Sequence, residues 1–191
     1  MEARIAQIGR RLHSLVQALR GMGYHFENDN EVITGPELGT AEAIRRIEAE
    51  FGSCPLALKL FWERIGSVDL SGTHPDWIDD RYPDQLVVFP PSIAHWEMKD
   101  YLGDIKEKQK CGLGYEIPIA PDFYHKAGVS GGEPYSISLP TADDDPILRN
   151  SQVRETFLEY VERSLNGGGF PGMIDEADHN WPLQALIDVA R

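Results

Sequence analysis

The residues best equipped for chemistry crowd into one short stretch. Asp122, His125, Lys126 and Ser130 fall within nine positions of a connector that runs from Pro121 to Pro134. A hydrolase needs a nucleophile, a base and an orienting carboxylate within hydrogen-bond reach, and these four side chains include all three types. Their spacing argues for a plainer role. Ser130 lacks the strand-turn-helix elbow of a G-x-S-x-G nucleophile, while Asp122 after a proline and Ser130 before Gly131-Gly132 are ordinary turn formers. The expectation is a structural loop held by local hydrogen bonds, with His125 bonding backbone, and no catalytic residue is assigned.

Metal chemistry is the next candidate. His74, Asp76, Asp79, Asp80 and Asp84 share one loop and Asp143, Asp144 and Asp145 another, all hard-oxygen or imidazole ligands. Neither loop spells D-x-D-x-D-G with a closing Glu, so turn caps and a solvated acidic surface are expected, without a metal. The glycines 167 to 169 follow a helical pattern instead of opening one, and no Lys-Ser/Thr ending accompanies them, which excludes a phosphate loop. No cofactor is called for. What remains is surface: Asp76, Trp77, Asp79, Asp80 and Tyr82 in the first acidic loop, with Asp143, Asp144 and Asp145 in the second, form candidate partner-binding patches. Trp77 and Tyr82 suit the rigid anchors of a hot spot, and they suit equally the task of pinning their own loop.

The elements that must position these residues are read from periodicity. Tyr115, Ile117 and Ile119 alternate with Glu116, Pro118 and Ala120, and Tyr135, Ile137 and Leu139 alternate with Ser136 and Ser138. Both arms therefore read as neighbouring strands with one buried face, joined by the glycine-bearing connector. Ile5, Ile8, Leu12, Leu15, Val16, Leu19 and Met22 form the stripe of an amphipathic helix ending near Gly21 or Gly23; it either packs on its own domain or makes a dimer seam. Thr40 is placed to cap a second helix carrying Ile44, Ile47 and Phe51. Pro55 opens a third with Leu58, Phe61, Trp62 and Ile65. Short strands are expected over 67–71 and 85–89, a helix over 92–102 carrying Ile93, Trp96 and Tyr101, and an edge strand with Lys106, Lys108 and Lys110. Asp145-Pro146 reads as the start of a single helical turn. Asn150 or Ser151 then caps a helix with Val153, Phe157, Tyr160, Val161 and Leu165, Phe170-Pro171 folds back onto the sheet, and 181–191 makes a terminal helix.

Helices flanking a run of strands imply an α+β fold, two-layered and mostly antiparallel, with an extra N-terminal helix. The division is a helix and connector over 1–35 and the main domain over 36–191. The phrase IAPDFYHKAGVSGGEPYSISLP, then the acidic turn at 143–145, an amphipathic helix and Gly-Gly-Phe-Pro-Gly at 168–172, resembles a bacterial branch of the SUKH superfamily. That superfamily includes a yeast cell-wall-synthesis regulator and many bacterial immunity proteins, and the likeness covers residues 36 to 172. It implies an α+β fold and a non-enzymatic protein-binding role, as an immunity protein neutralising a toxin or as a scaffold docking cellular partners.

Charge narrows the partner. With 18 Lys+Arg against 31 Asp+Glu the chain carries −13, which repels phosphate backbones and favours a basic protein partner over nucleic acid. Many toxins that act on nucleic acids have basic clefts, so a basic toxin domain is the expected partner. Arg4, Arg10, Arg11 and Arg20 against Glu2 make residues 1–22 locally +3, leaving −16 for the rest. A chain of 191 residues buries about 70% of its unfolded surface, enough for a core without staples. Cys54 and Cys111 are far apart and form no CxxC, which suits a reducing cytoplasm. No stretch reads as a secretory signal or membrane span, and the expected state is a monomer or homodimer.

Overall fold

The stripe on α1 (Glu2–Gly21) decides where the core sits, because Ile5, Ile8, Leu12, Leu15, Val16 and Leu19 are all buried. They pack against α3 (Leu56–Arg64) and α6 (Phe157–Asn166), so the apolar face is spent inside the chain's own core. Polar contacts follow along the seam: Arg4 makes a two-pronged bond to Glu162 at 2.6 and 2.7 Å, and Arg11 reaches Asn166 at 2.8 Å. The computed structural model describes residues 1–75, 84–100, 114–126, 128–129 and 131–170. The Lys106, Lys108, Lys110 strand, the Trp77 and Tyr82 anchors and the helix expected over 181–191 lie outside them.

α2 (Thr40–Phe51) turns Ile44, Ile47 and Phe51 inward as its spacing demands. Thr40 is its first helical residue and not its cap. The Thr40 hydroxyl instead donates back to the Glu37 carbonyl at 2.9 Å, closing the turn before the helix. After α3, Gly66 sits at φ 91° with the backbone of Thr34 and Gly35 where a Cβ would stand, so only glycine fits this crossing.

Among the described residues the strands form three antiparallel pairs: β1 (His25–Phe26) with β3 (Gly72–Thr73), β2 (Val68–Asp69) with β4 (Val87–Val88), and β5 (Tyr115–Ala120) with β6 (Tyr135–Leu139). The strands expected over 67–71 and 85–89 are shorter than their apolar pattern. Beyond the β2–β4 pair, backbone groups leave the ladder for single bonds, Leu70 N–H to Leu86 carbonyl at 3.0 Å and Phe89 N–H to Ile119 carbonyl at 2.7 Å. The second of these stitches β4 to β5. In the β5–β6 pair, Ile117 faces Ile137 and Tyr115 faces Leu139, with a register shift between Pro118 and Ala120. Alternation located this pair, but not a single buried face, since Pro118, Ala120 and Ser136 are buried too.

α4 (Pro91–Asp100) forms where a helix was expected, but it turns Ala94 and Met98 to the core and leaves Ile93 and Trp96 exposed. A four-residue helix, α5 (Phe123–Lys126), interrupts the connector between β5 and β6. Two expectations near the end of the described chain are corrected. No helical turn opens at Pro146; Ile147 and Arg149 instead make β-bridges to Thr156 and Ser136. α6 begins at Phe157, several residues after Val153, because Thr156 and Glu159 form a reciprocal capping box. The Thr156 hydroxyl accepts from the Glu159 N–H at 3.3 Å and the Glu159 carboxylate from the Thr156 N–H at 2.7 Å. Gly167 ends α6, and Phe170 folds back fully buried against Tyr24. Short antiparallel sheets with helices packed on them, α1 included, make the molecule an α+β protein.

Candidate functional site

Asp122 lies at the turn between β5 and α5, where a carboxylate can serve several donors at once. Its Oδ1 accepts the backbone N–H groups of Tyr124 at 2.7 Å and His125 at 3.3 Å, and its Oδ2 makes a very short contact with His125 Nδ1. Burial works to raise the Asp122 carboxyl, but the hydrogen bonds from the His125 ring, the His125 backbone and Tyr124 outweigh it and hold the group below its ordinary value. The expected bond from His125 to backbone is not what forms: its N–H and its ring both face the Asp122 carboxylate. A buried carboxylate that orients an imidazole gives two members of a triad-like arrangement. The third candidate, Ser130, lies outside the described residues.

Lys126 goes the opposite way. Its side chain is 2% exposed and its ammonium donates to Asp84 Oδ1 at 2.5 Å, across 42 positions of sequence, with Asp84 itself only 7% exposed. The same nitrogen donates to the Tyr160 hydroxyl at 3.2 Å and lies 4.9 Å from the centre of the Tyr135 ring and 5.6 Å from that of Tyr160. Tyr135 donates to Asp84 Oδ2 at 3.1 Å, and Tyr160 passes its proton side on to the Val87 carbonyl at 3.3 Å. Desolvation lowers the Lys126 ammonium from its ordinary value and the Asp84 carboxylate opposes that shift. Burial first, then Asp84, raises both phenols, which keeps them protonated and donating. Each polar group in this aromatic box therefore has a partner.

The box joins α5, the segment before β4, β6 and α6, and nothing local in the sequence announced it. A signal existed in Tyr135 and Tyr160. Both stand in apolar stripes, and a buried phenol needs a hydrogen-bond partner. A second ion pair, from the partly exposed Arg163 to the buried Glu155 at 2.6 and 2.7 Å, ties α6 to the segment that precedes it.

The acidic patches divide. Asp76, Trp77, Asp79, Asp80 and Tyr82 lie outside the described residues. Asp143 and Asp144 are exposed, whereas Asp145 is half-buried and turned onto the start of α6. There it accepts from the Leu158 N–H at 3.1 Å and the Thr156 hydroxyl at 2.9 Å, with Arg4 3.8 Å away. Burial raises the Asp145 carboxyl against these bonds. His74, from the candidate metal loop, places Nε2 2.7 Å from the Met22 carbonyl, and Asp84 is engaged by Lys126. Among the described residues no three potential metal ligands lie together, and no helix is long and apolar enough to cross a membrane.

Comparison with known proteins leaves the assignment to these residues, since no family model, no curated protein and no solved structure matches the chain.

Proposed function

We propose that this chain is a SUKH-like, non-enzymatic protein-binding domain of the cytoplasm, an immunity protein that occupies the basic cleft of a toxin acting on nucleic acid. The observation that carries the reading is how the charges are spent. Lys126 pairs with Asp84, Arg163 with Glu155 and Arg4 with Glu162, so these cations are consumed in holding the fold. The chain as a whole still carries −13, with Asp143 and Asp144 among its exposed carboxylates. Such a surface steers a cationic partner and repels nucleic acid. Lys126, one of the four side chains of the connector that could do chemistry, is buried and paired with Asp84.

The scaffold alternative, docking cellular partners through the basic helix α1 or the acidic loops, draws less support for its first route, because α1 commits its apolar face and three arginines, Arg4, Arg11 and Arg20, to contacts within the chain. The test is co-expression with the toxin domain encoded by the adjacent gene, scored by growth and by size-exclusion chromatography. Restored growth and a co-eluting complex that weakens in salt are expected. Lack of both protection and complex overturns the reading.

A further inference from the structure

The connector between β5 and β6 carries a surface as well as an anchor. Tyr124 is 54% exposed and Val129 52% exposed, and the Val129 N–H donates to the Tyr124 carbonyl at 2.8 Å, which ties their backbones together. His125, whose N–H is held by Asp122, has its side chain half in solvent between them in sequence. Its Nδ1, facing the Asp122 carboxylate, carries a proton. Glu133, exposed on the same connector, follows Gly132, which lies so close to Asp122 that a Cβ there would overlap the carboxylate. An aromatic face such as that of Tyr124 and a carboxylate such as that of Glu133 are each suited to a guanidinium or ammonium group.

The anchoring beneath is costly. Desolvating a lysine and an aspartate takes several kcal/mol per ion, and apolar residues of the same volume hold a core as well or better. A buried pair at the root of an exposed turn is therefore accounted for by the position it enforces more than by the stability it adds.

We propose that Tyr124, His125 and Val129 form the contact ridge for a basic protein partner, receiving one of its arginine or lysine side chains, and that the Lys126–Asp84 pair is the device that positions this ridge. The inference deepens the proposed function and rests on its basic partner. In it Lys126 and Asp84 are positioning residues; they touch no partner themselves.

The test uses a defined probe, a hexa-arginine peptide, titrated into the full chain and followed by NMR, so that it does not depend on which toxin is the partner. Shifts are expected to concentrate at Tyr124, His125 and Val129, and Tyr124→Ala is expected to weaken binding at least about fivefold, the scale of a hot-spot residue, with an unchanged melting temperature. Asp143→Asn with Asp144→Asn is expected to change it less. A second variant separates position from stability: Lys126→Met, Asp84→Leu and Tyr135→Phe together remove every charge and orphaned hydroxyl from the box. This triple variant is expected to fold with near-normal stability and to lose about as much peptide affinity as Tyr124→Ala. Shifts gathered at Asp143 and Asp144, or a Tyr124→Ala variant and a triple variant that both bind as wild type, overturn the ridge. A ridge that binds the peptide in a chain that protects against no toxin overturns the immunity reading alone.

Discussion

Removing one charge of the aromatic box is expected to be far worse than removing both charges together with the Tyr135 hydroxyl. Lys126→Met alone strands the Asp84 carboxylate in a site that is 7% exposed, and breaking a buried pair in this way costs about 3–5 kcal/mol. Adding Asp84→Leu and Tyr135→Phe is expected to recover most of that loss, because no buried charge or hydroxyl is then left without a partner. Urea unfolding of the two variants checks the difference; equal midpoints would show that the pair carries no strain of isolation. At this scale the sequence was only partly legible. Asp122 could be read as a turn former from its neighbours, since its donors lie two and three residues on. Lys126 could not, since its partner lies 42 residues away and only the folded chain brings them together.

Elements were legible where one face is buried and local chemistry agrees with it. α1 follows its stripe, and β5 and β6 pair as their alternation indicates, although Pro118, Ala120 and Ser136 on the face expected to be exposed are buried as well. The start of α6 was misplaced because Val153 extends the apolar spacing backwards, although that side chain is exposed. T-x-x-E at 156–159 carried the better signal, since a capping box satisfies two orphan backbone donors whereas spacing satisfies none. Thr156→Ala removes the cap and the bond from its hydroxyl to Asp145. The expected cost is about 1–2 kcal/mol in denaturant unfolding, the upper end of a lost cap. Val153→Ser, at an exposed position before the helix, is expected to stay within about 0.5 kcal/mol. If the two variants prove alike, the helix does not start where the box places it.

For the molecule as a whole, the Arg4–Glu162 pair clamps the two ends of the described chain together. The hydrogen bond from Arg4, and then its charge, holds the Glu162 carboxyl below its ordinary value against the effect of burial. An acid held lower in the folded chain than in the unfolded one adds stability above its unfolded value and loses it as pH falls through its folded value. The contribution of Glu162 is thus full at neutral pH and disappears below the ordinary carboxylate range, near pH 4. Asp145, raised by burial, pulls the other way over the range just above. Comparing urea midpoints at pH 7 and pH 3, Glu162→Gln is expected to lower stability at neutral pH and to shrink the acid-induced drop. An undiminished drop would mean that the seam contributes nothing to acid sensitivity. This clamp joins residues 158 positions apart, and the same seam supplies the cover for the six buried aliphatic residues of α1. During translation those residues leave the ribosome long before α6 exists to shield them. Until then α3 alone of the two helices can cover them, so a chain halted before residue 157 is expected to expose part of this face and to aggregate more readily than the full chain.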